Sequence, residues 1–370
     1  MIRDRRTAQS NEAGYSILEL LVSTAIMITV TGAIFTLMNP AQGSAQAQPE
    51  VADMQQRMRV GNEALSKELM MAGAGPYQGP VTGTLVNFFA PIFPRRIGRL
   101  NPDAATVFKD DTITLSYIPN SYSQTTISAS MPNVSAELKV TPQPNCPASG
   151  DALCGFKDGM DVIIFDQSGN FDLFTITKVQ DDAAHLQHRS QEELSKAYDV
   201  GASVTQIVSN TFYLNRATNQ LMKYNGGADA SSEVALVDNV VDLKFEYFGD
   251  IVPPKLPKPP AGEANCLYDV AGNYVNLPTL APDEGSLAAL PGAMLKDGPM
   301  CGGGANQFDV DLLRVRKVRM SLRVQAAAPT MRGRDTALFM KPGTAQGGDR
   351  FLPDFRLSFD ISPRNLNLSR

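Results

Sequence analysis

Between Tyr15 and Met38 the chain carries one charged residue, Glu19, within the otherwise uncharged run GYSILELLVSTAIMITVTGAIFTLM that begins at Gly14. As a helix such a run rises about 30 Å, the thickness of a bilayer's hydrocarbon core. A fold must either bury a segment like this or give it to lipid, and this one is long enough to span a membrane. An ionised carboxylate inside hydrocarbon costs roughly 2.5–3.5 kcal/mol, so Glu19 asks for a partner or for a place near an interface. Arg3, Arg5 and Arg6 precede the run, while residues 39–56 contain no Lys or Arg. That asymmetry predicts a cytoplasmic N-terminus and a domain on the opposite side. A cleavable secretory signal fits less well, because the run is too long for such a signal and no Ala-x-Ala site follows it.

The residues around the start of the run are specific. Gly14, then aromatic Tyr15, then Ser16-Ile17-Leu18-Glu19-Leu20-Leu21-Val22, after a short basic leader, resemble the processing motif of type IV prepilins and type II secretion pseudopilins. The resemblance implies cleavage after Gly14 by a prepilin peptidase, with residues 1–14 as the leader and Tyr15 as an N-methylated mature N-terminus. It also implies that Glu19 faces the N-terminal ammonium of a neighbouring subunit in a filament core, which supplies the partner its charge needs.

Asn39-Pro40 and the Gln-rich residues after it predict a kink or linker over 39–49, since proline lacks an amide donor and disfavours helical geometry before it. A helical period returns over 50–72, with Val51, Met54, Met58, Leu65, Leu69 and Ala72 forming one apolar face. Gly73-Ala74-Gly75-Pro76 ends it.

Residues 77–370 read as a β-rich domain, to which 43% hydrophobic and 19% charged residues give ample core. Thr112–Ile118 predicts a strand, and hairpins are expected over Val162–Thr177, around Gln167–Asn170, and over Thr211–Tyr224, around Asn215–Asn219. A polar stretch at 181–199 separates them, with partial helix expected from Gln191 to Tyr198. Val240–Phe248 predicts a half-buried strand. A Pro- and Gly-rich insertion over 249–308 follows, with nine prolines between Pro253 and Pro299. Sheet resumes over Val310–Val324, with a bulge before Arg316-Lys317, and again at Phe355–Ile361, where apolar and polar residues alternate.

Four cysteines lie beyond the apolar run, none at Cys-x-x-Cys spacing, which favours disulfides in an oxidising compartment over a metal site. Three pairings are open, and proximity favours Cys146–Cys154 and Cys266–Cys301.

Nothing points to an enzyme: no G-x-S-x-G, H-E-x-x-H or phosphate-binding loop occurs, and no catalytic residue, cofactor or metal is expected. His185 and His188, three residues apart, lack further ligands and read as surface residues. Asp166, Ser168, Asn170 and Asp172 alternate like a calcium loop but lack its closing Glu, position 177 being Thr177. From Arg314 onward twelve Lys or Arg face four Asp, a net of +8 within a chain of net −5. Without an aromatic platform or nucleic-acid motif, that bias reads as a solvated strand face, and nucleic acid is not an expected partner.

The order of elements, from leader and apolar helix to amphipathic helix and large strand-rich domain, resembles the larger minor pilins of the PilW type and the J-type pseudopilin. The implied fold is α+β and pilin-like, with a long N-terminal helix, membrane-spanning in its first half (15–38), packed on a C-terminal antiparallel β-sheet domain. The implied function is priming, initiating or capping a type IV pilus. Prepilin peptidase, major and minor pilins and the inner-membrane assembly platform are the implied partners. The implied location is the inner membrane, in a single pass with a periplasmic domain, and then the pilus. A type II secretion pseudopilin is the alternative within the same architecture. A tip adhesin that uses the 253–299 stretch is the alternative of another class.

Overall fold

The computed structural model describes residues 14–75, 85–119, 123–143, 146, 151–189, 194–303, 306–345 and 351–368. The expected leader, apart from Gly14, therefore lies outside the described residues.

A single α-helix, Ile17–Met71, runs for 55 residues, about 80 Å at 1.5 Å per residue. Ser16 caps it from an extended conformation, its Oγ accepting the Glu19 amide at 3.2 Å. Serine with glutamate three residues on is capping-box spacing. Of the kink or linker expected over 39–49, the linker is corrected: the helix is continuous there. Pro40 removes one helical hydrogen bond, a local cost of about 3 kcal/mol. The Ala- and Gln-rich residues that follow favour helix, and packing of the half beyond them adds to helical stability.

From residue 54 the helix has one buried stripe: Met54, Met58, Gly61, Leu65, Leu69 and Ala72, at steps of three and four. Val51, the first expected member, is only half-buried. Gly61 completes the stripe because its missing side chain admits the sheet; a Cβ there would stand 2.8 Å from Leu322 Cδ2. The helix ends at Gly73, whose φ of +74° suits glycine alone. Its amide donates to the Ser116 carbonyl at 3.0 Å, and the Ile118 amide donates to the Ala74 carbonyl at 2.8 Å, stitching the helix end to the strand Thr112–Tyr117.

Two sheets receive the stripe. One has five antiparallel strands in the order Ile92–Phe93, Thr112–Tyr117, Val208–Asn215, Gln220–Tyr224, Glu233–Asp238. The other has four, in the order Leu287–Leu290, Val240–Asp250, Val315–Val324, Phe355–Ile361, all antiparallel. The fold is thus α+β, an N-terminal apolar helix followed by a mostly antiparallel β domain.

A second, smaller core lies over residues 123–206. There a four-stranded sheet (Gln124–Thr126, Ser203–Gln206, Asp161–Phe165, Phe171–Thr175) packs with a three-stranded one (Leu138–Lys139, His185–Gln187, Lys178–Gln180). The hairpin Asp161–Phe165/Phe171–Thr175 belongs to both cores. Ile163, Phe165 and Phe171 enter the main core, whereas Val162, Ile164 and Phe174 enter the smaller one. Alternating direction along a strand makes that sharing unavoidable once both faces are apolar.

Three local expectations change. Val310–Arg314 is a 3-10 turn and the strand starts at Val315, with the register shift opposite it at Phe248/Gly249. Residues 194–199 hold no helix, and 190–193 lie outside the described residues. The insertion is not wholly irregular, because Leu287–Leu290 adds an edge strand to the four-stranded sheet. That edge alternates buried and exposed residues, a pattern too short to stand out among prolines.

Candidate functional site: the uncovered half of the helix

Among the described residues nothing covers Ile17–Met38: none of it is buried, and it is long and apolar enough to cross a membrane. Its length, 22 residues, corresponds to about 33 Å. Four of its five hydroxyls return their protons to the helix's own carbonyls: Ser23 to Leu20 at 3.0 Å, Thr24 to Leu20 at 2.9 Å, Thr29 to Ala25 at 2.7 Å and Thr36 to Ala33 at 2.8 Å. No polar demand is thus left on these side chains, which suits either lipid or another apolar surface. An uncovered apolar surface of this extent marks a binding or membrane surface.

The three residues singled out in the sequence sit together at its start. Gly14 precedes the helix and nothing lies within 4 Å of where its Cβ would stand, so no packing in this chain requires glycine there. Tyr15 is 86% exposed. Glu19 occupies the first turn, where unsatisfied amides favour a negative charge. Among the described residues no cation pairs with it. The Ser16–Glu19 capping spacing was a signal in the sequence that goes unused when the run is read for hydropathy alone.

The insertion is held down at several points. Arg314, fully buried, bonds Asp311 through Nε at 2.5 Å, the Ile251 carbonyl at 3.2 Å and the Pro278 carbonyl at 2.9 Å, gathering three segments on one guanidinium. Lys317 and Arg319 reach Glu284 of the insertion and Asp360 of the last strand, and both lie over the Phe248 ring, at 4.3 and 5.0 Å from its centroid. Arg319, then Lys317, hold the Asp360 carboxyl down to about 2, and Lys317 with Arg319 holds Glu284 below its usual range. Arg316 pairs with Asp250 at 2.7 Å and Arg323 with Asp354 at 2.9 Å. The basic strand expected to face solvent is thus largely neutralised within the chain.

The calcium-like alternation also serves this docking. Asp166 accepts the amides of Ser168 and Asn170 at 2.9 and 3.1 Å and pairs with Lys196 at 2.8 Å. Ser168 donates to Glu263, and Asn265 donates to the Ser168 carbonyl at 2.7 Å, so the turn holds the insertion. Asp172 points elsewhere, accepting from Tyr198 at 2.7 Å and from Ser195 at 2.8 Å; burial raises its pKa. His185 pairs with Glu137 at 2.9 Å, while His188 packs on Phe174 and meets the Ala136 carbonyl, so the two do not converge.

Both favoured cysteine pairs stand at disulfide distance, Cys146–Cys154 with Cα atoms 5.5 Å apart and Cys266–Cys301 with Cα atoms 4.9 Å apart. They point to an oxidising compartment. One group missed in the sequence is Asp297, Asp309 and Asp311, whose carboxylates approach within 4.8 Å of one another. Asp309 there accepts the amides of Gly298 and Asp311 at 2.6 and 2.9 Å, and burial raises its pKa to about 6. These bonds shape the loop, and Asp311 is already taken by Arg314. No family model, curated protein or solved structure matches the chain.

Proposed function

We propose that the chain is a minor pilin of a type IV pilus, held in the inner membrane by residues 15–38, processed after Gly14, and helping to initiate, prime or cap assembly. One observation carries the reading: a single helix whose first 22 residues are apolar and uncovered, headed by Gly14-Tyr15 and Glu19, while its second half is the spine of an antiparallel domain.

The mechanism is physical. In the bilayer, lipid covers Ile17–Met38; on extraction, the same surface packs on other pilin helices. Glu19, with no cation partner among the described residues, meets the Tyr15 ammonium of a neighbour and so sets the axial register, as a lone buried polar group does in a coiled coil. Gly14, free of packing duties, supplies the small residue that the peptidase accepts. The domain is large and its insertion is pinned to it at several points. Such bulk suits a rare position near the tip better than every position along a filament.

Glu19→Ala tests this reading. The variant should reach the membrane at the wild-type level yet be missing from sheared filaments. Filaments that incorporate it normally would remove the register role and, with it, the main support for the proposal.

A further inference from the structure

One end of the β domain faces the apolar half of the helix. The Ala327 amide donates to Glu50, upstream of the packed stripe, the Gln325 amide donates to the Asn239 carbonyl at 3.0 Å, and Lys341 bonds Asn219. The other end of the same sheets meets the helix terminus, through Asn365 Nδ2 to the Ala72 carbonyl and the Gly73 amide to Ser116. The turns at 215–220, 238–240 and 324–329 therefore lie on the side of the membrane-length segment.

From this end projects a loop closed by its own backbone. Gly343 donates to the Gly333 carbonyl at 3.0 Å, Thr344 to Pro329 at 2.9 Å and Leu352 to Met331 at 2.9 Å. Phe339 is buried in it, against Phe351 at 6.0 Å, and this leaves its neighbours Leu338 and Met340 outside, 44% and 47% exposed. Arg334 and Arg356 are exposed and have no carboxylate partner among the described residues; Lys341 is held by the amide oxygen of Asn219 and the Arg216 carbonyl instead. Among the described residues of the loop the acids are fewer. Asp354 pairs with Arg323, and Asp335 is turned to the Ala337 amide.

We infer that this loop docks on the anionic headgroups of the same bilayer that holds residues 17–38. Leu338 and Met340 enter the interface, and Arg334 and Lys341 sit at the lipid phosphates. The inference rests on reading 17–38 as a membrane span. Two apolar side chains beside cations that have no carboxylate partner among the described residues suit an anionic interface, and the span tethers the loop to that surface, so weak contacts suffice. Met38 and Glu50 are about 18 Å apart along the helix. Headgroups fill roughly 5–7 Å of that distance, so docking requires helix tilt and the reach of the loop to close the remaining distance of about 11–13 Å. Docking lays the domain against the membrane before assembly, and extraction of the helix must lift it off.

The chain has no tryptophan, so one introduced residue reports alone. Leu338→Trp, Phe35→Trp and Val270→Trp, each in the full chain, are reconstituted in phosphatidylcholine bilayers with or without phosphatidylglycerol, and quenching by brominated acyl chains is read. The Leu338→Trp reporter should be quenched strongly only with phosphatidylglycerol, Phe35→Trp in both bilayers, and Val270→Trp, on the insertion, in neither. Adding Arg334→Gln to Leu338→Trp should lower the docked-to-undocked ratio about fivefold. A Leu338→Trp signal as insensitive as that of Val270→Trp overturns the docking, as does a blue shift that follows protein density without lipid quenching, which would mark a contact between chains. Loss of quenching at Phe35→Trp would instead overturn the membrane span itself.

Discussion

Arg314 and Asp309 show how far a residue's role depends on neighbours distant in sequence. Arg314 has no exposed surface and meets Asp311 together with two carbonyls of the insertion. Arg314→Met should therefore destabilise the domain by about 3–5 kcal/mol in urea unfolding, because it strands a buried carboxylate and two carbonyl oxygens. Asp309 carries a pH dependence of predictable sign. Burial raises its pKa from 3.8 to about 6, so the folded state holds the proton more tightly than the unfolded state does. Its contribution is complete below about pH 4 and is lost as pH rises through about 6. Asp309→Asn should flatten that part of the urea midpoint against pH, and an unchanged slope would refute the assignment. Asp360, held down to about 2, acts in the opposite sense, its contribution fading as pH falls from about 4 through 2. Neither arginine nor aspartate announced these roles in the sequence. Arg314 is one of twelve basic residues after position 313, and what distinguishes it is the fold's choice of partners.

Among the elements, those with a regular period were legible and those without one were not. The stripe of the helix, both hairpins and the strands Val240–Asp250 and Phe355–Ile361 follow directly from steps of three to four or of two. Gly61 escaped because a glycine adds nothing to an apolar count, though its absence of bulk is what admits Leu322. Continuity of the helix through Pro40 escaped because a proline signal is local, whereas a helix is held by packing along its length. The insertion is anchored rather than loose. Cys266, within it, is tied to Cys301, 35 residues on. Replacing both by serine should cost about 4 kcal/mol in the loop-entropy account. Released insertion should also become a preferred site of limited proteolysis between residues 253 and 299, while the wild-type insertion resists cleavage.

At the scale of the molecule, one helix presents two surfaces. One face of its second half is buried by the domain, and its first half is uncovered among the described residues and long and apolar enough to cross a membrane, with Glu19 as the only charge in that stretch. The motif that reads as prepilin-like was visible in about ten residues, whereas the sheet order and the shared hairpin depend on pairings that span the chain. The most direct measurement is the intact mass and N-terminal residue of the membrane-extracted protein, from cells with and without prepilin peptidase. A chain that begins at N-methylated Tyr15 only when the peptidase is present is the predicted result. A chain that keeps residues 1–14 in both, or is cut elsewhere, would contradict the pilin reading and leave an anchored domain in an oxidising compartment.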